Sequence, residues 1–394
     1  MAFVRLLLAL FILLAALPGR AASLRPLTVH FFDVGQGDAA LIVSPTGKTV
    51  LIDGGPPGAD DELVSRVRQL VQGPLDLVIL THPHLDHLGG LSKVIQAMGV
   101  KRYMDPGFDH PSESYRKLLD VVGQKAGQVM TPTPNPSSPE TLLTIGLGEG
   151  VTLTILWPRV PQEPFLENTR SDANSNSIIA KLTYGKTAFL FVGDAEPEAE
   201  ELLLSRPVDL SSTVLKVGHH GGRHSSTAPF LAKVKPQAAV ISCGAGNDYG
   251  HPTDEALGRL GAVGANILRT DLHGEVLAVS DGTTVTLSPQ KGKRTRTVVT
   301  GQVSPGPVAT GPMPTSASRS SGTGRLVQAK GTLPTRQEVV PALGGARYVS
   351  LKGSKVFHRE DCATLKRSKN QERTTYPNRD AAERERRPSE DCNP

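Results

Sequence analysis

The sequence is poor in cysteine and in aromatic residues, and it has a single apolar run of any length. Three Cys among 394 residues cannot form the disulfide framework of a small secreted scaffold. The apolar run lies at the N-terminus, which excludes a channel or transporter with several membrane spans. A hydrophobic fraction of 38% is typical of a globular chain with one large domain and additional segments.

Positive charge is concentrated in the last quarter of the chain. Residues 1–290 hold 23 Lys and Arg against 29 Asp and Glu, whereas residues 291–394 hold 20 against 9. The body is therefore acidic, with a net charge of −6, and the tail is basic, with +11. Such a tail suits a polyanionic partner: nucleic acid, an anionic membrane or an anionic cell-wall polymer. A solvated basic linker without a partner is the alternative.

Residues 1–22 have the pattern of a signal peptide. Arg5 supplies the positive start, Leu6–Leu17 the apolar stretch, and Gly19 and Ala21 the small residues before cleavage. The stretch of 12 residues is too short to span a bilayer. We therefore expect export to a periplasmic or extracellular compartment, and an uncleaved N-terminal anchor is the less favoured alternative.

Short β-branched runs alternate with amphipathic stretches through residues 27–290, which predicts packed sheets with helices outside them. The predicted strands are Thr28–Phe32, Ala39–Val43, Thr49–Ile52, Leu77–Leu80, Val151–Leu156, Ile178–Leu182, Ala188–Val192, Val214–Val217, Ala238–Ser242, Gly274–Val279 and Thr283–Leu287. The clearest predicted helices are Asp61–Val71, Leu91–Met98, Pro197–Leu204 and Thr253–Leu260.

Two further segments follow the domain of residues 27–290. Residues 291–346 are predicted to be a disordered basic linker, because 14 of the 46 residues from 301 to 346 are Gly or Pro and none is aromatic. Unlike the linker, residues 347–394 contain several apolar side chains, which predicts a small C-terminal module. A core this small normally requires a metal or disulfide staple.

The densest group of chemically active side chains follows the predicted strand Leu77–Leu80. There the sequence reads Thr81-His82-Pro83-His84-Leu85-Asp86-His87, with three imidazoles and a carboxylate within six residues. These are the ligands that Zn, Mn or Fe sites use, and their number exceeds one tetrahedral site.

This H-x-H-x-D-H pattern resembles the signature of the metallo-β-lactamase fold. The resemblance implies an α/β protein, an αββα sandwich, with two divalent metal ions, Zn or Mn. It assigns His82 and His84 to one metal and Asp86 and His87 to the other. Asp194, which directly follows the run Phe189–Gly193, would bridge the two metals. His219 would complete the ligand set, with His220 behind it.

Four other motifs resemble competence proteins of the ComEC type: Phe32–Asp38, Leu51–Gly55, Asn174–Ser177 and Tyr249–Pro252. They add residues that would support the ligands from behind, namely Asp33, Asp38, Asp53, Asn174 and Asn176. ComEC-like sequences commonly carry Asp at the position of His84, so the imidazole favours zinc here. The chain shows no membrane-channel segment, so the resemblance does not imply transport of DNA through a pore.

The resemblance implies a hydrolase that uses a hydroxide activated by two metals. Lys216, His220 and His251, together with Asp86, are the predicted catalytic residues, the first three neutralising an attacked phosphate. The leading hypothesis is a secreted nuclease acting on DNA or RNA. One alternative is a hydrolase of a small ester, lactone, β-lactam or cell-wall phosphorylcholine; another is a binding module with an idle metal site. Trp157 stands alone in sequence, so no aromatic surface for stacking bases is predicted.

The C-terminal module resembles a small Ada-type metal-binding module. His358, Cys362 and Cys392 are its candidate ligands, but Ser389 stands where the resemblance leads us to expect another Cys. A zinc site, a Cys362–Cys392 disulfide and no staple at all remain three open possibilities. The sequence does not indicate an oligomeric state.

Overall fold

A computed structural model describes residues 25–138, 140–292 and 296–302, with short C-terminal pieces at 348–352, 354, 356–359, 372–376, 382 and 386–388. The strands up to residue 302 are β1 (Leu27–Phe31), β2 (Ala40–Val43), β3 (Thr49–Ile52), β4 (Leu77–Ile79), β5 (Val100–Met104), β6 (Ala126–Met130), β7 (Thr144–Gly146), β8 (Val151–Trp157), β9 (Ile179–Tyr184), β10 (Thr187–Phe191), β11 (Val214–Lys216), β12 (Ala238–Ile241), β13 (Asn266–Arg269), β14 (Val276–Ser280), β15 (Thr284–Pro289) and β16 (Thr297–Thr300). The helices are α1 (Asp60–Leu70), α2 (Leu85–Leu88), α3 (Leu91–Met98), α4 (Glu113–Lys125), α5 (Asp172–Ser175), α6 (Pro197–Leu204), α7 (Ala228–Val234), α8 (Asp254–Ala262) and α9 (Thr270–His273).

In the described part of the chain, two large sheets form the centre of the molecule. The first has the strand order β16-β15-β14-β1-β2-β3-β4-β5-β6, and the second has the order β13-β12-β11-β10-β9-β8-β7. Each sheet contains a parallel group, β3 to β6 in the first and β10 to β13 in the second. Because parallel strands end at the same edge of a sheet, the loops after these strands converge.

Three apolar clusters divide the domain into four layers. Side chains from both sheets, including Phe31 and Phe191, meet in the central cluster. A second cluster packs the first sheet against α1, α3 and α4, and a third packs the second sheet against α6, α7 and α8. This order, helices, sheet, sheet, helices, confirms the predicted αββα sandwich.

Glycines of the motifs Phe32–Asp38 and Leu51–Gly55 hold loops of the first sheet close to the histidine-rich loop and to the start of α3. A Cβ on Gly37 would collide with the carbonyl oxygen of Asp86, and the neighbouring Asp38 N donates to that oxygen at 3.1 Å. A Cβ on Gly54 would collide with the backbone nitrogen of Leu91, the first residue of α3. Only glycine permits these approaches, which explains two of the motifs in terms of packing.

The sheet extends past the predicted start of the linker. Strand β16 pairs with β15 from Thr284↔Thr300 to Leu287↔Thr297, within the segment 291–346 that the sequence assigned to the linker. The rest of that segment from residue 303 lies outside the described residues, as does the predicted signal peptide at 1–22. Throughout the residues that the structure does describe, no helix has the length and apolar character needed to cross a membrane.

Four short strands of the C-terminal module are described: β17 (Tyr348–Leu351), β18 (Val356–Arg359), β19 (Arg373–Tyr376) and β20 (Arg387–Pro388). They form a sheet in the order β19-β17-β18-β20, with Phe357, Tyr376 and Ala382 buried together. His358 is buried on β18. Cys362 and Cys392 lie outside the described residues, so the staple of this module stays a prediction.

Candidate metal centre

Three loops bring the predicted ligands together where parallel strands end. The loop after β4 carries His82, His84, Asp86 and His87. Asp194 follows β10, and a 3-10 turn at Gly218–Gly221 after β11 carries His219 and His220. The loops after β10 and β11 are joined by a backbone hydrogen bond from His219 N to Gly193 O at 3.2 Å, and the loop after β4 is joined to the start of β9 by one from Ile178 N to Thr81 O at 2.9 Å.

Asp86, His87, Asp194 and His220 form one compact group. Each offers a ligand atom, and the four atoms lie within 4.8 Å of one another. His87 Nε2 is 3.3 Å from Asp194 Oδ1, and His220 Nε2 is 3.1 Å from Asp86 Oδ2. We call these four residues the first ligand group.

His82 and His219 approach Asp194 from its other oxygen. His82 Nε2 lies 3.9 Å from Asp194 Oδ2, and His219 Nε2 lies 3.8 Å from the same atom. The His84 ring is 4.7 Å from the ring of His82, centroid to centroid. We call His82, His84, His219 and Asp194 the second ligand group. His220 Nε2 of the first group also lies 3.5 Å from Asp194 Oδ2, so the Asp194 carboxylate is shared by both groups.

Buried acceptors behind the imidazoles fix which ring nitrogen faces the centre. His87 Nδ1 donates to Asp53 Oδ2 at 2.8 Å, and His219 Nδ1 donates to Glu196 Oε1 at 3.0 Å. His220 Nδ1 donates to the carbonyl oxygen of Ser242 at 2.9 Å. In each ring this leaves Nε2 as the nitrogen that faces Asp194 and that would bind a metal once deprotonated.

The backbone of the histidine turn is strained. His219 has φ 47° and ψ 47°, and His220 has φ 53° and ψ 23°. Two consecutive non-glycine residues in the left-handed region carry a cost of about 1–3 kcal/mol each, and such residues cluster at functional sites. The turn presents both imidazoles to Asp194.

The carboxylates and imidazoles of the centre shift one another's protonation. Burial alone lowers the pKa of His87 and His220, but the surrounding carboxylates outweigh it and hold both pKa values well above the ordinary one. Burial raises the pKa of Asp194, yet His220, His87 and His219 together hold it well below the usual range. His82 differs, because burial and the charge of His87 both lower its pKa.

The donor set fits a pair of divalent cations. His82 Nε2, His87 Nε2 and Asp194 Oδ1 are buried and accept no hydrogen bond from any described residue. Buried polar atoms normally have a partner, and divalent cations held by the two ligand groups would supply one for each of these three atoms. A further group of possible ligands, Asp38, Asp53 and His87, lies behind the centre. Asp38 Oδ2 pairs with Lys216, and Asp53 accepts from Thr81 and from His87 Nδ1.

Several predicted residues lie behind or beside the two ligand groups. Asp38 contacts His220 Nδ1 at 3.2 Å and Lys216 Nζ at 2.7 Å, and burial keeps that lysine from solvent. Lys216 is thus placed to balance Asp38, not to contact a bound phosphate. The ring of His251 lies 5.5 Å from that of His219.

Three predicted supporting residues have other surroundings. Asp33 pairs with Lys291 at 3.0 Å. Asn176 holds the loop before α5, since its side chain accepts from Leu166 N at 2.9 Å and donates to Leu166 O at 2.8 Å. Asn174 is buried beside it, and its backbone N donates to Ser171 Oγ.

Three groups that help to orient the ligand side chains were not predicted from the sequence: Thr81, Glu196 and the Ser242 carbonyl. Thr81 donates to Asp53 from both its backbone N and its hydroxyl, at 2.7 Å each. Glu196 comes two residues after Asp194, and a carboxylate so close to a predicted ligand is a signal that the sequence did offer. The Ser242 acceptor is a backbone carbonyl, which no sequence pattern reveals.

A buried glutamate beside the histidine turn predicts a pH-dependent stability. Glu200 accepts from Ser226 N and Thr227 N, and burial raises its pKa from 4.5 to about 7. The folded state therefore keeps this proton to a higher pH than the unfolded chain. The protonated Glu200 carboxyl stabilises the folded state most below pH 4.5. This stabilisation, up to about 3 kcal/mol, is lost as the pH rises from 4.5 through about 7.

Glu200→Gln should remove this dependence. We expect the free energy of unfolding of the native chain minus that of the variant to fall steadily from pH 5 to about pH 7 and to level off above it, as measured by urea denaturation in chelator. The control is Glu201→Gln, which changes an exposed residue of the same helix and should give a constant difference. A constant difference for Glu200→Gln as well would contradict the prediction.

Comparison with known proteins finds a matching family profile and similar competence proteins. Residues 32–162 match the profile of the Metallo-beta-lactamase superfamily. The chain is similar to ComE operon protein 3 of Bacillus subtilis, with 27% identity over 63% of this chain and 32% of that protein. It is also similar to competence protein ComA of Neisseria gonorrhoeae, with 30% identity over 62% of this chain and 31% of that protein.

A third relative is recombination protein 2 of Haemophilus influenzae, with 30% identity over 63% of this chain and 28% of that protein. The chain thus spans about a third of the length of the curated relatives that it matches. The matches confirm the predicted resemblance to competence proteins and to the metallo-β-lactamase fold.

Proposed function

We propose, from the metallo-β-lactamase domain that this chain contains, that the protein is an exported, metal-dependent phosphodiesterase that cleaves DNA or RNA. The observation that carries the proposal is the position of Asp194, whose Oδ1 faces His87 while its Oδ2 faces the imidazoles of His82, His219 and His220. Sites with two metals a few ångströms apart are typical of enzymes that displace at phosphorus.

The chain's own residues would hold two divalent cations, zinc or manganese. Asp86, His87, Asp194 and His220 supply four donor atoms of one site. His82, His84 and His219 supply nitrogens for the other, and Asp194 belongs to both. Bound cations would supply Lewis acidity and a nucleophile at neutral pH. The donor set includes three or more imidazoles, which favours zinc over magnesium or calcium.

The residues behind the ligands hold the imidazole rings in position before a substrate binds. Asp53 and Glu196 accept from the Nδ1 atoms of His87 and His219, so neither ring needs to reorient. Lys216 neutralises Asp38, and Asp38 in turn faces His220. Asp86 is a third exposed in its side chain, so the first ligand group opens toward solvent on that side.

The basic tail and the names of the relatives support nucleic acid as the substrate. Residues 291–394 carry a net charge of +11, which suits a polyanion. Relatives named for competence and for recombination point to the same class of substrate. Export rests on the signal-peptide pattern of residues 1–22.

Incubation of the purified chain with supercoiled plasmid tests the proposal. We expect nicking that requires added Mn or Zn, stops with chelator, is absent in the Asp86→Ala variant and weakens steeply with salt. A panel of a lactone, a β-lactam and a phosphorylcholine ester runs beside it. Turnover of one of these without nicking would move the assignment to a small-ester hydrolase. Binding of DNA with no metal-dependent turnover at all would favour a binding module.

A further inference from the structure

Two loops beside the metal centre bring aromatic rings together from distant parts of the chain. The first loop follows β5, and the second runs from the end of β8 to α5. Phe108 of the first and Phe165 of the second stack edge to face, with ring centroids 5.4 Å apart. Both rings are half-buried and lie outside the three core clusters, so the apolar core does not account for them.

Both loops end at the ligand groups. In the first loop, the His110 ring lies 5.8 Å from the ring of His84. At the end of the second loop, Arg170 Nε lies 3.6 Å from Glu196 Oε2, and Glu196 in turn accepts from His219. Four residues of these loops, His110, Phe108, Phe165 and Arg170, therefore lie between the surroundings of His84 and those of His219. We call these four residues the aromatic rim.

The fold holds the rim in place. Strands β4 and β5 are parallel neighbours, with Ile79 opposite Met104, so the loop after β5 emerges beside the histidine-rich loop. In the second loop, the Asn176 side chain bonds both backbone groups of Leu166, the residue after Phe165. A ring fixed at its neighbouring backbone loses little freedom when a ligand stacks on it.

We propose that Phe108 and Phe165 form a stacking site for an unpaired nucleobase next to the scissile phosphate, with Arg170 beside the backbone of the same strand. The proposal rests on the function proposed above for its substrate class. Aromatic faces bind bases of any sequence, and an arginine pairs with phosphate. A base inside a duplex does not offer its face, so the rim predicts a preference for single strands or unpaired ends.

Binding of a single-stranded oligonucleotide that carries 2-aminopurine tests this site. The full-length chain is stripped of metal with chelator, so binding is measured without cleavage. We expect quenching of the fluorescent base at one position of the strand. Phe108→Leu and Phe165→Leu keep an apolar side chain between the loops but remove the aromatic face, so each should weaken binding about tenfold.

An abasic nucleotide at the quenched position separates stacking from a structural role of the two rings. If a base stacks there, the abasic strand binds the native chain about tenfold more weakly, and neither variant weakens its binding further. Tyr184→Leu, at the opposite end of β9 from the centre, should leave both strands unaffected. Equal losses on the normal and the abasic strand, or no quenched position, would overturn the stacking site.

The same data keep the two proposals apart. Base stacking by the native chain without metal-dependent nicking would refute the proposed phosphodiesterase activity and support the aromatic rim as a nucleic-acid binding site. Metal-dependent nicking with no base-specific effect of the Phe108 or Phe165 variants would refute the stacking site and support the proposed phosphodiesterase activity.

Discussion

Asp194→Asn should lower metal-dependent nicking of supercoiled plasmid by about 1,000-fold or more. Changes in residues that only orient metal ligands cost about 10–100-fold, and Asp194 faces both ligand groups directly. Asparagine has the same size, but its amide nitrogen is no ligand and it cannot offer a charged oxygen to each group. The bound metal per chain, measured by elemental analysis after dialysis, should fall with the activity.

The fold should tolerate this change, because asparagine fills the buried volume of the aspartate. A matched control is Asp61→Asn, which makes the same chemical change at a carboxylate that is 85% exposed and pairs with Lys93. It should retain full nicking and full metal content. If Asp194→Asn kept its nicking rate within tenfold of the native chain at equal metal, the two-metal assignment would be wrong.

The sequence predicted the strands that are buried on both faces more successfully than those at the edges. Thr49–Ile52 is reproduced without change, and ten other predicted strands overlap observed ones. The inner strand β5 was missed, because Lys101 and Arg102 interrupt its apolar run. The strands β6, β7, β13 and β16 were also missed, because each lies at the edge of its sheet and has half or more of its side chains in contact with solvent. Their sequences therefore lack the apolar run that marks a buried strand.

The helix Glu113–Lys125 was also absent from the clearest predictions, although its signals are readable. Ser112 caps its first turn by accepting from Tyr115 N, and Tyr115, Leu118 and Val122 are buried on one face. Their spacing of three and four residues is the helical period.

The ligand residues could be predicted because most of them lie close together in sequence, whereas their supports are scattered. His82 to His87 span one loop, but the acceptors behind the rings come from Asp53, Glu196 and the backbone of Ser242. The sequence assigned His219 as a ligand and His220 to a place behind it. The structure places Nε2 of both rings within 4 Å of Asp194, so His220 joins the proposed ligand set.

The rim illustrates the same limit. Phe108 and Phe165 are 57 residues apart in sequence, and neither stands in an aromatic pattern. Only the convergence of loops from two different sheets brings them together. A pattern search along the chain cannot detect such a pair.

Asp53→Asn should weaken metal binding about 10–100-fold while leaving the ligand residues intact. Asp53 is fully buried and accepts three hydrogen bonds, from Thr81 N, from Thr81 Oγ1 and from His87 Nδ1. An asparagine has one oxygen, so its NH₂ group must face at least one of these donors. If it faces His87, the ring changes tautomer and directs an N–H toward the centre, where a lone pair is needed.

The measurement is a competition titration with a chromogenic zinc chelator, followed by nicking assays over a range of added metal. We expect the variant to need more metal for half-maximal activity and to recover most of its activity at saturation, because every ligand atom is still present. Asp76→Asn is the matched control, since Asp76 is a buried carboxylate just before the start of β4, whereas the ligands follow its end. It pairs with Lys48 and Lys101, so its loss should lower the free energy of unfolding and leave metal affinity unchanged. Equal metal affinity in Asp53→Asn and the native chain would show that the His87 tautomer does not depend on Asp53.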